Sequence, residues 1–140
     1  MKLPGFLQPD PEGAEAAVIK PPPLDTLSIL VVDDEPAFRS LLVDTLAQDG
    51  YHVIEAGDGA EAVVALEKAQ HVDLVVTDVR MPQMDGVAMA SELRKTQPWV
   101  PIVFITGYPK DLRNPVPNSY VLSKPFLRDD LMRAVHRFMA

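Results

Sequence analysis

The chain has 140 residues, 47% of them apolar, a formal net charge of −7 and no cysteine. That length suits one domain with a full core, and the charge argues against direct nucleic-acid binding. The absence of cysteine excludes disulfides, thiolate metal sites and thiol catalysis; no apolar run is long enough for a membrane span or shaped as a signal core, so a cytoplasmic location is expected.

Residues 1–26 differ from the rest. Pro4, Pro9, Pro11 and Pro21-Pro22-Pro23 lie among Gly, Ala and charged residues. Proline runs favour extended polyproline II and cannot donate to a sheet ladder, so this stretch reads as a flexible tail or linker. Residues 12–19 are rich in Ala and Glu but too few for a stable isolated helix.

Residues 27–140 read as the folded domain. Leu27-Ser28-Ile29-Leu30-Val31-Val32 is apolar at every position but one, as in a strand buried on both faces. It meets Asp33-Asp34-Glu35-Pro36, where Pro36 suits a first helical turn and the acids suit the positive end of the helix dipole. The helix is expected to run to about Asp49, with Phe38, Leu41, Leu42 and Leu46 inward and Gly50 as its stop. Tyr51-His52-Val53-Ile54-Glu55-Ala56 forms a second strand. Gly57-Asp58-Gly59 makes a turn in which Asp58 caps a helix carrying Ala62, Val63, Leu66 and Ala69 on one face.

The third strand, Val72-Asp73-Leu74-Val75-Val76-Thr77, ends at Asp78 and breaks into a loop closed by Pro82 and Asp85-Gly86. A helix follows to about Lys95, with Val87, Ala90 and Leu93 at helical spacing. Pro98 and Pro101 bracket a link in which Trp99 reads as a packing residue. Ile102-Val103-Phe104-Ile105-Thr106 is the fourth strand. Beyond it, Gly107, Pro109, Pro115 and Pro117 oppose a long helix, allowing at most a turn or two around residues 110–113. Tyr120-Val121-Leu122-Ser123 is the fifth strand. Lys124-Pro125 leads to a closing helix with Leu127, Leu131, Val135 and Phe138 inward.

Five alternations of strand and helix predict an α/β, doubly wound, parallel sheet. No Gly-rich dinucleotide fingerprint is present, so the flavodoxin-like order 2-1-3-4-5 fits, with the helix between strands four and five shortened or irregular. In that order strands one and three are neighbours, which sets Asp33 and Asp34 beside Asp78. Like charges at about 4 Å repel by roughly 4 kcal/mol at an effective dielectric of 20, so the cluster calls for a cation, or for protonation, to offset it. Oxygen ligands without His or Cys point to a hard ion, Mg²⁺. Thr106 and Lys124 end strands on the same side. A carboxylate, a hydroxyl, an ammonium and Mg²⁺ form a phosphoryl-binding set, with Asp78 as nucleophile, Lys124 neutralising charge and Thr106 donating a hydrogen bond.

Val31-Val32-Asp33-Asp34-Glu35-Pro36, Asp78-Val79-Arg80-Met81-Pro82-Gln83-Met84-Asp85-Gly86, Ile105-Thr106-Gly107 and Lys124-Pro125-Phe126 resemble the motifs of the response-regulator receiver domain of two-component signalling. The resemblance implies that Asp78 accepts a phosphoryl group from a histidine kinase or histidine phosphotransfer protein. It implies Mg²⁺ held by Asp34, Asp78 and the backbone carbonyl of Arg80, with Asp33 acting mostly through water. It implies that Thr106 and Lys124 contact the phosphoryl group, and that the Lys124–Pro125 bond is cis, as an X-Pro bond permits. The protein would then be no enzyme in the usual sense, but a phosphoacceptor assisting its own Mg²⁺-dependent phosphorylation and dephosphorylation.

The chain also departs from that pattern. Val121 stands three residues before Lys124, where many receivers carry an aromatic switch residue, and Tyr120 should face the opposite side of the strand. Thr106 and Lys124 are only 18 positions apart. Phe104-Ile105-Thr106-Gly107-Tyr108 resembles, imperfectly, the Phe-Ala-Thr-Gly-Tyr signature of a subclass with a reduced fourth helix. Residues 107–118 are therefore the expected moving part, and Arg80 and Tyr108 flank the site where they would modulate water access. The three histidines, at 52, 71 and 136, lie away from it.

The leading reading is a single-domain signalling module without an output domain, a monomer or a phosphorylation-linked homodimer. A receiver detached from a hybrid histidine kinase is the alternative. An aspartyl-nucleophile phosphatase of the haloacid-dehalogenase class would need Asp-x-Asp where this chain has Asp33-Asp34. A flavodoxin would need a hydroxyl- and glycine-rich phosphate loop there. A degenerate receiver would not need the full acid, hydroxyl and lysine set.

Overall fold

Five strands of five residues each build one parallel sheet in the order β2-β1-β3-β4-β5. The computed structural model describes residues 26–69, 71–112 and 116–139. In chain order the elements are β1 (Ser28–Val32), α1 (Pro36–Gln48), β2 (His52–Ala56), α2 (Gly59–Lys68) and β3 (Leu74–Asp78). They continue with α3 (Gly86–Thr96), β4 (Ile102–Thr106), a 3₁₀ turn (Pro109–Asp111), β5 (Ser119–Ser123) and α4 (Arg128–Met139).

The apolar runs of β1, β3 and β4 follow from burial on both faces. Successive strand residues point to opposite sides. Leu30, Val32, Val75, Ile102 and Phe104 face α2 and α3, where Ala62, Leu66, Met89, Ala90 and Leu93 close the layer. Ile29, Val31, Leu74, Val76, Val103 and Ile105 face α1 and α4, against Leu42, Leu46, Leu131 and Val135. Two helices thus cover each face, and each fully buried aliphatic side chain contributes about 1.5–3 kcal/mol.

Helix starts are fixed by side-chain oxygens, which accept otherwise unpaired backbone donors. Glu35 accepts from the Phe38 N–H, Asp58 from Glu61 and Asp85 from Ala88, at 2.7, 2.8 and 2.8 Å. Gly50, at φ +95°, follows α1 in the left-handed region that glycine adopts without cost.

Three side chains, two on helical stripes and one in a link, are exposed where the sequence pattern places them inward. Leu41 is 59% exposed: the buried face of α1 runs through Leu42 and Leu46, and Leu41 is rotated off it. Leu127 is 73% exposed because α4 begins one residue later, so helical spacing does not govern it. Trp99 is exposed rather than packed; its carbonyl accepts from Asn118 Nδ2 at 2.9 Å. Residues 1–25, and with them the Pro-rich stretch and its short Ala/Glu segment, lie outside the described residues; so does Arg113.

Between β4 and β5 the described residues form no α-helix, only the three-residue 3₁₀ turn. Leu112 and Val116 pack on the sheet face there. Tyr120 and Val121 do point to opposite sides: Tyr120 joins the α4 face under the guanidinium of Arg137, while Val121 is 36% exposed on the other. Arg94, at the end of α3, reaches the entry to β5. Its Nη1 donates to the Val100 carbonyl at 2.6 Å and Nη2 to that of Pro117 at 2.7 Å, with a longer contact of 3.4 Å to Asn118.

Candidate functional site

Because every strand runs the same way, all five C-terminal ends open on one edge of the sheet. β1 and β3 are paired side by side, with Val32 opposite Thr77. The residues that follow, Asp33 and Asp34, therefore meet Asp78. One carboxylate oxygen from each of the three lies within 4.8 Å of the others.

The three acids are not equivalent. Asp33 is buried; its Oδ1 accepts the Glu35 N–H at 2.8 Å. Its Oδ2 is also buried and meets no hydrogen-bond partner among the described residues. Burial first, and then the negative charge of Asp78, push the Asp33 carboxyl up to about 6, against the Glu35 hydrogen bond and Lys124. Asp34 is exposed. Asp78 Oδ1 accepts the Val79 N–H at 2.7 Å, which leaves Oδ2 facing Lys124 Nζ at 3.6 Å.

An oxygen-only donor set with one buried, unpartnered carboxylate oxygen fits a hard divalent cation. Such an ion would be held by the carboxylates of Asp33, Asp34 and Asp78, and would supply positive charge beside Asp78.

The loop after β3 is set by a close approach. A Cβ on Gly86 would lie 2.3 Å from the Asp78 carbonyl oxygen, so only glycine lets α3 begin there. The Gly86 N–H donates to the Val79 carbonyl at 2.9 Å, folding the loop back on the strand end. Lys124 comes from the end of β5, its backbone N–H bonded to the Thr106 carbonyl at 2.8 Å; the Lys124–Pro125 peptide is cis. Thr106 is buried beside β3, where Asp78 pairs with Ile105. Its hydroxyl oxygen accepts the Tyr108 N–H at 2.9 Å, leaving the hydroxyl proton available to donate.

Residues 29–136 match the response regulator receiver domain family. The chain belongs to that family. Over 117 residues this receiver is 40% identical to the sensor kinase CckA of Brucella abortus, an alignment covering 80% of this chain and 12% of that protein. It is 35% identical over 115 residues to the response regulator receiver protein CpdR of Brucella abortus, covering 79% and 95%. Among solved structures, it matches the receiver domain of the sensor histidine kinase PA1611 from Pseudomonas aeruginosa PAO1, which has a magnesium ion coordinated in its active-site cleft. That match has 31% identity and a TM-score of 0.73 over 81% of this chain and 98% of the other. Among the described residues no helix is long and apolar enough to cross a membrane.

Two features of this receiver had no signal in the sequence. Arg80 turns away from Asp78 to pair with Asp111, 31 positions on, and covers the ring of Tyr108. Lys124 Nζ lies 4.5 Å from the ring centroid of Phe38, at the lip of a groove of about 620 Å³. Leu41 and Phe126 also line it.

Proposed function

We propose that this receiver is a phosphoacceptor in a two-component phosphorelay, phosphorylated on Asp78 by a histidine kinase or a histidine phosphotransfer protein. The observation that carries this reading is the Oδ2 of Asp78, held 3.6 Å from Lys124 Nζ beside a buried acid with an unpartnered oxygen. The Asp78 carboxylate attacks the phosphorus of a phosphohistidine. A P–O bond forms as the P–N bond breaks, and the departing imidazole takes up a proton. Lys124 offsets the charge on the phosphoryl oxygens, and Thr106 offers its hydroxyl proton to one of them. Magnesium, held by Asp34 and Asp78 with the Arg80 carbonyl and with Asp33 acting through water, would supply the remaining positive charge.

The groove walled by Phe38, Leu41 and Phe126 supports docking of an apolar donor surface within reach of Lys124. We read the chain as acting through protein contacts in the cytoplasm, with no direct nucleic-acid or membrane role and no reaction of its own beyond phosphoryl gain and loss. The stand-alone arrangement follows CpdR, 95% of which aligns with this chain. A second reading, the receiver of a larger sensor kinase, follows the higher identity to CckA. The mass of the protein in its own cells separates the two.

Incubation with acetyl phosphate and Mg²⁺, followed by intact-mass measurement, tests the central step. The wild type gains one phosphoryl group and Asp78→Asn gains none. No gain from any small phosphodonor or phosphohistidine protein would overturn the reading.

A further inference from the structure

A closed circuit of contacts joins the end of β3 to the end of β4. Arg80, two residues past Asp78, donates from Nε to Asp111 Oδ2 at 2.7 Å and from Nη2 to Oδ1 at 3.4 Å. Its guanidinium carbon lies 3.6 Å from the ring centroid of Tyr108. The Tyr108 N–H is in turn bonded to Thr106 Oγ1. The circuit thus runs from Asp78's own loop through Arg80 and the 3₁₀ turn to Tyr108 and Thr106.

We propose that Asp111 is a resident competitor for Arg80, which the arriving phosphoryl group displaces. This rests on Asp78 being the phosphoacceptor. A phosphoryl group brings about −2 in charge close to the loop that carries Arg80. A guanidinium fork fits phosphate and carboxylate oxygens alike, so the two anions compete for one donor face. The Arg80–Asp111 pair is poised to lose that contest, because both side chains are solvent-accessible and such pairs are weak. Arg80 then leaves Asp111 and uncovers Tyr108, while Thr106 turns its hydroxyl to the phosphoryl group and pulls on the Tyr108 amide. The Pro109–Asp111 turn loses the Arg80 contact and the Thr106 contact together. Val121 leaves no aromatic switch three residues before Lys124, and the circuit carries the signal in its place.

The coupling is reciprocal: what phosphoryl arrival takes from Asp111, Asp111 takes from phosphoryl affinity. The experiment is a titration of the full chain with beryllofluoride in saturating Mg²⁺, a mimic of the phosphoryl group, read by amide NMR. It compares wild type, Asp111→Asn, Asp111→Glu, Arg80→Gln and the Arg80→Gln/Asp111→Asn pair. Asp111→Asn is expected to bind about threefold tighter, the scale of an exposed ion pair. Asp111→Glu is expected to restore wild-type affinity. In the Arg80→Gln background the Asp111 change is expected to do nothing. Amide exchange at Tyr108, Lys110 and Asp111 rises on saturation of the wild type and is already raised in free Asp111→Asn. A gain that persists without Arg80 is long-range charge removal and overturns the proposal, as does the absence of any gain. A wild type that binds no beryllofluoride overturns the phosphoacceptor reading as well, so the two failures are told apart.

Discussion

Lys124 Nζ stands 3.6 Å from Asp78 Oδ2 and 4.5 Å from the ring centroid of Phe38, so the ammonium sits between a carboxylate and an aromatic face. Both neighbours attract the ammonium and hold it in place. Lys124→Gln should weaken beryllofluoride binding by about 10- to 100-fold, the usual range for a charge-assisted hydrogen bond. Phe38→Leu, which keeps the volume, should weaken it by much less. Calorimetric titration in Mg²⁺ distinguishes the two, and equal losses would mean that the aromatic face is the larger contribution.

Asp33 makes the stability of the fold depend on pH. Its carboxyl is raised to about 6 in the folded chain, by burial first and by Asp78 second, with Asp34 adding to the push and Lys124 opposing it. The folded state therefore binds this proton more tightly than the unfolded chain. The stabilisation is complete below the unfolded value of about 3.8 and is lost as pH rises through about 6. In metal-free protein the loss amounts to about 3 kcal/mol. Urea unfolding in EDTA between pH 4 and 7 should show that decline, and Asp33→Asn should remove it. Mg²⁺ should offset the loss at pH 7, where the acid is ionised.

Gly86→Ala tests how tightly the loop after β3 is built. The new methyl group would fall on the Asp78 carbonyl oxygen, which belongs to the backbone and cannot swing aside. Overpacking of this kind costs about 1–3 kcal/mol. The denaturation midpoint should fall, and the Val79 and Gly86 amide resonances should move. An unchanged Val79 resonance would place the strain elsewhere.

Arg94→Met removes the donors that hold the carbonyls of Val100 and Pro117. Leaving the partly buried Val100 carbonyl unpaired costs about 1–3 kcal/mol, while the exposed Pro117 carbonyl turns to water. Amide exchange should rise at Asn118 and Ser119, while beryllofluoride affinity at Asp78 stays within about twofold of wild type, since the change is remote from the site. A large loss of affinity would show that the entry to β5 is coupled to the phosphoryl site.

The sheet was legible because its three inner strands are mostly apolar, with polar residues only at their ends, and its order followed from five alternations with no dinucleotide fingerprint. The meeting of Asp33, Asp34 and Asp78 followed from that order alone. Leu41 and Leu127 were misplaced for a local reason: helical spacing predicts a face only inside the helix and only within its arc. Trp99 reads as a packing residue in the link between Pro98 and Pro101, and nothing in that link signals its exposure. Arg94 and Arg80 were opaque for a different reason. Each reaches partners brought close only by the fold, and an arginine's spacing says nothing about which carbonyl or carboxylate it will meet.

These two arginines give the β4–β5 crossover unequal ends. Arg94 is gripped by neutral carbonyls, and burial lowers its pKa from a value still far above neutrality. Arg80 is held by a carboxylate in open solvent. Added salt weakens the second, solvent-exposed ion pair and leaves the first, a set of hydrogen bonds to neutral carbonyls, nearly untouched. Ionic strength is thus a dial on one end of the crossover only: as salt rises, the segment should loosen from the β4 side while its entry to β5 stays fastened.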